Sequence, residues 1–547
     1  MKFFKNLILS FLTILFFSGF FPGEEDIYFR ISKNIDLFTN VYKEIALNYV
    51  DDVDPEKFMR AGIDGMLKTL DPYTIFIDEK KKNDIELITN GKYGGIGITI
   101  GVRGDRVTVV EVFKDYSAER QGIKVGDVLL EASGFKITPD NIDDVSDYVK
   151  GEPGTSVQLK ILRNSEQDTL IFNLIREEIV VENIAFADFI PEESDNVYIK
   201  LTNFSRTAGD ELKNALISLS KKRAIRSVVL DLRGNPGGLL DVAVDVCEKF
   251  LEKNTLIVTT RGRDITTEKQ YYAVEEPIAG NVKLIVLINE GSASASEIVA
   301  GAIQDHDRGV ILGEKSFGKG LVQTITPLNY NASLKITTAK YYTPSGRCIQ
   351  KVDYSEGSEV LTRNTLGIDA EFHTDNQRTV YASGGITPDT IVVQKQDSEY
   401  LQDLLAKGYI FRFADKFYYS NQNISIPDIS EDELYNSFQD YLKAENYVFT
   451  PDEVKKIEGL ISDLKTDNTG QQILDELELV KSKLLQSKAQ IPRKLKNDIL
   501  KNIKYELYSR IMDTEQRTRE LLKDDLQFQS AIGLLNNSPA FERLLSN

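Results

Sequence analysis

The spacing of hydrophobic residues changes along the chain, and each change indicates a different kind of structure. From about residue 25 to 90, apolar side chains recur every three or four positions, which predicts helices. From 91 to about 179, short alternating runs such as RVTVVEVF and VQLKILR are separated by turn residues, which predicts a small β-rich module. From about 180 to 393, the apolar runs SVVLDL and KLIVLIN each lead into a helical pattern. That alternation predicts a layered α/β core with a largely parallel sheet.

The last part of the chain, from about 394 to 547, is charged and helical in its pattern. Its leucines and isoleucines fall on intermittent faces and are surrounded by Lys, Glu and Asp. We therefore expect a helical C-terminal region and interpret it as a solvated appendage of the core.

The first 24 residues form a segment of their own. Lys2 and Lys5 precede an apolar run from Leu7 to Phe21, which is typical of an export signal. Phe20 and Phe21 stand where a cleavage site needs small residues, so the segment is either removed or kept as a short membrane anchor. In both cases we expect the rest of the chain to be exported, to the periplasm or cell envelope.

Composition narrows the classes of ligand. The formal net charge of -18 disfavours nonspecific binding to nucleic acid or anionic lipid. Only two cysteines occur, Cys247 and Cys348, without a CxxC motif or a Cys/His cluster. We therefore expect neither a zinc site nor a disulfide framework, and no metal or cofactor.

A glycine-rich segment, GGIGI at 94–98, stands just before an alternating strand pattern. Glycines allow consecutive N–H groups to point at one anion, and the strand offers an edge to an extended peptide. With AERQGI and VGDVLL downstream, the segment resembles PDZ domains, which implies that it binds the carboxyl ends of peptides. The candidate binding residues are Gly95, Ile96, Gly97 and Ile98.

The stretch GSASASE at 291–297 stands where an apolar strand pattern meets a helical one. A serine at such a junction is exposed beside unpaired N–H groups of the first helical turn, which favour developing negative charge. Small residues also begin many helices with the serines acting only as caps. This stretch alone leaves both interpretations open.

A nucleophilic serine needs a base, and the chain has only two histidines. His306 would lie at the far end of the helix, roughly 15 to 18 Å from the serines at about 1.5 Å per residue. His373, in a polar and turn-rich stretch, stays open as a base. Lys319 in FGKG is the other candidate, provided that burial keeps its amine neutral; FGKG alone is more typical of a surface turn.

Four motifs, GSASASE, FGKGLVQ, YYTPSGR and GGITPD, occur in this order. Together they closely resemble the C-terminal processing (tail-specific) serine peptidases, over roughly residues 34–393. The resemblance implies a crotonase-like α/β peptidase core in which Ser294 is the nucleophile, Lys319 the general base and Gln323 the residue that orients the lysine. Because four residues span one helical turn but roughly 13 Å of strand, the last pairing predicts non-extended backbone between Lys319 and Gln323.

The resemblance also implies an oxyanion hole. The segment DLRGNPGG at 231–238 fits the family motif, and we favour the N–H of Gly237, with Gly238 as the substitute, together with the N–H of Ala295. Ser292 and Ser296 would then be supporting residues.

The function implied is that of an exported serine endopeptidase that cleaves proteins near their carboxyl ends, after a PDZ-like module has captured the tail. By analogy with the family, this module would block the site until a tail binds. Two alternatives stay open: an exported scaffold with an inactive core, and a Ser-His hydrolase based on His373. The partners expected are peptide tails, with an adaptor or a second copy of the chain left open.

Overall fold

The computed structural model describes residues 27–78, 86–87, 89–163, 169–354, 370–421, 430–466, 470–488 and 493–546. They form two compact units, one of residues 27–76 with Tyr354 and one of the other described residues. The predicted export signal lies outside the described residues. Within the described ranges, no helix has both the length and the apolar character needed to span a membrane.

The first unit contains two helices, α1 (Ile27–Asn48) and α2 (Pro55–Leu67), and most of the short strand β1 (Ile75–Ile77). The Asp54 carboxylate caps α2 by accepting the N–H groups of its first turn. The rings of Tyr42 and Phe58 stack with centroids 5.4 Å apart. The predicted helical character of the N-terminal region is confirmed.

The PDZ-like module is a β-sheet with strand order β3-β4-β5-β7-β8, to which β6 is added beside β5. Strand β3 lies at one edge of this sheet, and β2 and β9 pair as a separate antiparallel ribbon at the entrance and exit of the module. Its elements are β2 (Lys92–Gly95), β3 (Ile98–Arg103), β4 (Arg106–Val112), α3 (Ser117–Gln121), β5 (Val128–Ala132), β6 (Phe135–Lys136), α4 (Ile142–Val149), β7 (Ser156–Leu162), β8 (Thr169–Ile175) and β9 (Glu177–Val180).

The core is a six-stranded sheet with strand order β10-β11-β12-β15-β16-β21. Only the β10–β11 pair is antiparallel, so the predicted parallel α/β core is confirmed. Its elements begin with β10 (Ile184–Phe189), β11 (Asn196–Leu201), α5 (Ala208–Lys222), β12 (Ser227–Asp231), α6 (Leu240–Glu248), β13 (Leu256–Gly262), β14 (Lys269–Tyr272) and β15 (Lys283–Ile288). They continue with α7 (Ala295–Asp305), β16 (Val310–Gly313), β17 (Leu321–Pro327), β18 (Ser333–Tyr342), β19 (Glu371–His373), β20 (Thr379–Tyr381) and β21 (Thr390–Ile391).

Helices α5, α6 and α7 cover one face of this sheet, where their apolar residues pack with Val228, Leu230 and Val286. A second, antiparallel sheet joins β17, β18, β13 and β14 in that order. Strand β15 is buried on both of its faces, which explains why KLIVLIN is continuously apolar rather than alternating.

Among its described residues, the regular elements of the C-terminal region are all helices. Its helices are α8 (Glu399–Ala406), α9 (Tyr409–Ser420), α10 (Glu431–Ala444), α11 (Asp452–Thr466), α12 (Gln471–Lys488), α13 (Lys496–Ile511), α14 (Thr514–Lys523), α15 (Leu526–Asn536) and α16 (Ser538–Leu544). Helices α8, α9, α10 and α13 share a hydrophobic cluster of their own.

The interpretation of this region as a solvated appendage is wrong for its last three helices. Phe528, Ala531 and Leu535 form one apolar stripe on α15, and this stripe packs against Ile285 and Leu287 of the central sheet. The last three helices therefore supply a second layer of the core, on the sheet face opposite to α5, α6 and α7.

We predict that Phe528→Ala destabilises the peptidase core. Phe528 is 1% exposed and its ring meets Tyr198 edge-on with centroids 5.2 Å apart, so its removal leaves a cavity against the sheet. The free energy of unfolding should fall by about 3–5 kcal/mol, measured by urea denaturation followed by circular dichroism.

The matched control is Leu526→Ala on the same helix, because Leu526 is 58% exposed. Its effect should stay within about 0.5 kcal/mol. Equal effects of the two substitutions would contradict a structural role for the C-terminal helices.

Candidate active site

Three sequence motifs meet at one edge of the central sheet. Strand β12 leads into DLRGNPGG, β15 into GSASASE and β16 toward FGKG. These strands are parallel neighbours in the order β12-β15-β16, with Asp231 opposite Leu287 and Ile288 opposite Gly313. Because their carboxyl ends lie at the same edge, the fold brings together residues that are up to about 90 positions apart in sequence.

The three serines of GSASASE have different surroundings. Ser292 and Ser296 are fully buried, and their hydroxyls donate to Leu232 O at 2.8 Å and Asn235 O at 2.9 Å. Ser294 is half-buried at the position just before α7, with φ 54° and ψ -113°. A positive φ is costly for a residue with a Cβ, and such strain is concentrated at functional turns.

The Glu297 carboxylate joins the serine segment to the lysine segment. Its Oε2 accepts the N–H of Ser294 at 2.9 Å and the N–H of Lys319 at 2.9 Å. Its Oε1 accepts the Ser316 hydroxyl at 2.6 Å and the Gly318 N–H at 2.8 Å. One buried side chain thus fixes the backbone of Ser294 relative to that of Lys319.

A tyrosine hydroxyl makes a second connection between the same two segments. Tyr341, at the end of β18, donates to Lys319 O at 2.6 Å and lies 3.1 Å from Ser294 O. Burial, with the nearby Glu297 and Cys348 adding to the effect, raises the pKa of Tyr341 well above its usual value. The hydroxyl therefore keeps its proton and remains a donor.

Four hydrogen-bond donors surround the buried Glu297 carboxyl. Burial raises the pKa of the Glu297 carboxyl above its usual value, while the hydrogen bonds from Ser316, Lys319, Gly318 and Ser294 act in the opposite direction. A carboxylate with all four acceptor positions filled is a rigid connection, because a rotation of the side chain would leave several donors unpaired.

The GGITPD motif supports the lysine loop from behind. Ser316 Oγ accepts the N–H of Ile386 at 2.6 Å, and Ser316 N–H donates to Ile386 O at 3.1 Å. Gly385 has φ 100°, and a Cβ there would lie 2.6 Å from Ser316 O. A side chain at position 385 would therefore push the lysine loop away at Ser316, which explains why the GGITPD motif has glycine at this position.

The DLRGNPGG loop lies directly against Ser294. A Cβ built on Gly237 would lie 2.8 Å from Ala295 N and 2.9 Å from Ser294 Cβ, so only glycine fits there. The Gly237 N–H, however, donates to Asn235 Oδ1 at 2.9 Å. The loop therefore stands where we expected it, but the N–H that we favoured as an oxyanion donor is engaged within the loop.

Asp231 and Arg233 of the same motif hold the loop and the C-terminal helices together. Arg233 pairs with Asp231 at 2.6 Å and donates to Gln527 Oε1 at 2.9 Å on α15. Although burial raises the pKa of Asp231, the adjacent Lys200 and Arg233 outweigh it and lower that pKa to about 2. The carboxylate is thus charged at neutral pH and anchors the start of the loop.

The backbone expected between Lys319 and Gln323 is not formed. Strand β17 begins at Leu321, and its pairing with β18 is interrupted by a bulge between Val322 and Gln323 rather than by a helical turn. The Gln323 amide donates to Leu321 O and to Thr337 Oγ1, both at 3.3 Å. The expectation of a helical turn was wrong because the segment joins the edge of the antiparallel sheet; the role of Gln323 stays a prediction.

The two histidines occupy other parts of the unit. His306 directly follows α7, at the opposite end of the helix from Ser294, with Nδ1 2.7 Å from Asp375 Oδ2 and Nε2 2.7 Å from Leu256 O. His373 is exposed on the two-stranded β19–β20 ribbon. Within the described part of the chain, no three His, Cys, Asp or Glu residues gather as a metal site requires.

The PDZ-like module contains an apolar groove of about 340 Å³ between β3 and α4. Ile96, Ile98 and Ile100 line it from the strand side, and Val145 and Val149 from the helix side. In the described residues, β3 pairs with β4 alone, so its other edge borders this groove.

The glycine loop lies at one end of the groove. Gly97 has φ 82°, and a Cβ there would lie 2.6 Å from Tyr116 Cβ. Gly95 belongs to the β2–β9 ribbon, opposite Glu177. The binding of a carboxylate by this loop stays a prediction.

Sequence reasoning missed Glu297 and Tyr341. Ser294-x-x-Glu297 is a capping-box pattern, in which the glutamate reaches back to the N–H before the helix, and this signal could have identified Glu297. Tyr341 belongs to YYTPSGR, one of the four motifs that carry the resemblance, but the motif by itself indicates no role for its tyrosines.

Comparison with known families divides the chain into four matched segments. Residues 195–356 match Peptidase family S41, and residues 94–174 match the PDZ domain family. Residues 400–535 match the family described as "Probable PDZ-protease, C-terminal helical domain", and residues 23–81 match the activating protease CtpB N-terminal domain.

Curated relatives carry names that agree with these matches. The chain is 38% identical over 323 residues to the carboxy-terminal-processing protease of Bartonella bacilliformis, a match that covers 58% of this chain and 73% of the relative. It is 31% identical over 320 residues to the carboxy-terminal processing protease CtpB of Bacillus subtilis, which covers 58% of this chain and 66% of the relative.

Among solved structures, the photosystem II D1 C-terminal processing protease aligns with 24% identity and a TM-score of 0.35, over 68% of this chain and 97% of that one. The family matches and the curated relatives together confirm the resemblance that the four motifs indicated. The chain belongs to peptidase family S41, a family of serine peptidases; it also contains a PDZ domain, and the relatives named here are carboxy-terminal processing proteases.

Proposed function

We propose that this chain is an exported serine endopeptidase that uses Ser294 and Lys319 as a catalytic dyad to cleave proteins near their carboxyl ends. The observation that carries the proposal is the Glu297 carboxylate, which accepts the backbone N–H groups of both residues at 2.9 Å. Neither serine neighbour can substitute for Ser294, because the hydroxyls of Ser292 and Ser296 are buried and engaged.

In this mechanism the neutral amine of Lys319 removes the proton from Ser294 Oγ, which attacks the scissile carbonyl carbon. The tetrahedral intermediate collapses when the lysine returns that proton to the leaving amine, and an ester between Ser294 and the substrate remains. Water, deprotonated by the same amine, then hydrolyses the ester and regenerates the serine.

The oxyanion would be stabilised by the first turn of α7. Ala295 is the first residue of that helix, where N–H groups lack intrahelical partners and the helix dipole favours negative charge. A second donor requires one of two arrangements. Either the Gly237 N–H gives up its hydrogen bond to Asn235 Oδ1, or the Gly238 N–H donates to the oxyanion instead. We favour Gly238, because this requires no rearrangement of the Asn235 side chain.

The PDZ-like module would hold the tail of the substrate while the dyad cuts upstream of it. The module offers the open edge of β3, an apolar groove and a glycine loop, which together suit an extended peptide with a free carboxylate. Export is proposed from Lys2, Lys5 and the apolar run up to Phe21.

Two competing functions have weaker support. A hydrolase based on His373 would need an exposed side chain on the β19–β20 ribbon to reach Ser294. An inactive scaffold would not require that a buried carboxylate hold the serine and lysine segments together.

We predict that Ser294→Ala and Lys319→Ala each lower kcat by about 10⁴-fold or more, because each removes a reacting group of the dyad. Cleavage of a protein with a peptide tail is measured by gel assay, and labelling of Ser294 by a fluorophosphonate probe provides an independent readout. Circular dichroism should show that both variants remain folded.

His373→Ala is the control and should retain full activity. Near-normal turnover by Lys319→Ala, or loss of activity in His373→Ala, would overturn the dyad.

We predict that Glu297→Gln lowers kcat by about 10²-fold while KM changes little. In either orientation the amide NH₂ would face two of the four groups that donate to Glu297, so the serine and lysine segments should shift by a fraction of an ångström or more, and misplacement of about 1 Å costs that much rate. Binding of the tail is expected to persist because the PDZ-like module is not altered.

Glu290→Gln is the matched control, since Glu290 is exposed and lies on the same loop. Unchanged kcat in Glu297→Gln would contradict a positioning role for this carboxylate.

We predict that tail capture requires a free carboxyl end. The Ser294→Ala protein should bind a tail peptide with a free carboxylate at least tenfold more tightly than the same peptide with a C-terminal amide, about 1.4 kcal/mol for the loss of an ionic hydrogen bond. Fluorescence anisotropy measures both affinities, and equal affinities would contradict carboxylate recognition by the glycine loop.

A further inference from the structure

A second cavity of the PDZ-like module lies between its sheet and the C-terminal helices. It measures about 430 Å³ and is lined by residues of β3 and β4 on one side and of α9 and α10 on the other. On β4, Arg106 and Thr108 face this cavity, whereas Val107 and Val109, which alternate with them, point into the core of the module. The cavity therefore lies on the outer face of the sheet, away from its hydrophobic core.

Positive charge predominates in this cavity, in a chain whose net charge is -18. Its cationic lining residues are Arg103, Arg106, Arg412 and Lys416, and its acidic ones are Asp415 and Glu445. Asp415 lies 3.5 Å from the guanidinium of Arg510, which offsets its charge from outside the cavity. The cationic residues thus form a basic cluster that is only partly balanced by its own surroundings.

The C-terminal helices fix the arginine at the end of β3. The Arg103 guanidinium lies over the ring of Phe411 with its carbon 5.5 Å from the ring centroid. The turn after it is equally constrained, since a Cβ on Gly104 would lie 2.5 Å from Lys407 O. Arg103 is therefore held in one place, which reduces the entropy lost when it binds an anion.

A bound tail would bring its sixth residue from the end to this cluster. If the peptide adds antiparallel to β3 with its last residue opposite Ile98, beside the glycine loop, each preceding residue pairs with the next residue of the strand. Ile98 and Ile100 line the apolar groove, so the last and third-last residues would occupy it. The sixth-last residue would lie opposite Arg103, and directly opposed side chains point to the same face of a sheet.

We propose that this protease selects substrate tails with an acidic residue at about the sixth position from the carboxyl end, which the basic cluster at Arg103 recognises. The inference rests on the proposed capture of tails along β3 and adds a second determinant of specificity to it. A carboxylate there would pair with Arg103 and be attracted by the cations contributed by β4 and α9, whereas a lysine would be repelled.

The test uses the full chain with Ser294→Ala, so that bound peptides are not cleaved. Two fluorescent peptides with identical sequences carry Glu or Gln at the sixth-last position, and anisotropy gives their Kd values. The Glu peptide should bind about fivefold more tightly, as expected for one partly exposed ion pair, and this preference should shrink as salt is raised.

Adding Arg103→Gln should remove the preference while affinity for the Gln peptide stays the same. Lys416→Gln, at an exposed position of the same cluster, is a second variant that does not disturb the Arg103–Phe411 contact and should reduce the preference. Lys136→Gln, on β6 and outside the cavity, is the control that should leave it unchanged.

Three outcomes would overturn the inference. Equal affinities of the two peptides for the Ser294→Ala chain would reject it while leaving tail capture intact. A preference that survives both Arg103→Gln and Lys416→Gln would place the determinant elsewhere. Absence of binding by either peptide would reject tail capture itself, and this inference with it.

Discussion

A single buried carboxylate connects the two chain segments on which the proposed chemistry depends. Ser294 and Lys319 follow different strands, and nothing in a parallel sheet by itself sets the distance between the loops that carry them. Glu297 sets it by accepting four donors, two of which are the backbone N–H groups of these residues. Burying a carboxylate is costly unless its oxygens are satisfied, so the four donors and the charge stabilise one another and disfavour any arrangement in which the loops separate.

Helices packed on both faces of the central sheet hold the strands that carry these two segments. The central sheet needs both faces covered, and among the described residues α14, α15 and α16 pack against its second face. Arg233 contacts Gln527 of that layer and also pairs with Asp231 at the start of the loop beside Ser294. The C-terminal helices thus contact both the DLRGNPGG loop beside Ser294 and, through α9, the end of strand β3 in the PDZ-like module.

Much of this arrangement could be predicted from the sequence, because local patterns determine it. The continuous apolar runs before DLRGNPGG and GSASASE predicted parallel strands, and the shared edge of such strands explains why the motifs meet. The helical turn at Gln323 could not be assessed locally, since the pairing of β17 with β18 is a long-range contact that overrides the flexibility of Gly318 and Gly320. The packing of α15 was missed for a related reason: its stripe of Phe528, Ala531 and Leu535 is short, and the sheet face on which it packs belongs to strands that are far away in the sequence.

The central claim, that Glu297 acts by placing Lys319 beside Ser294, is tested most directly by a double-mutant cycle on the rate at which Ser294 reacts with a fluorophosphonate. The account predicts that Glu297→Gln slows this reaction strongly when Lys319 is present but hardly at all in a Lys319→Ala background, because the carboxylate then has no base to position. Equal fold losses in both backgrounds would show that Glu297 acts independently of the lysine, and would contradict the account.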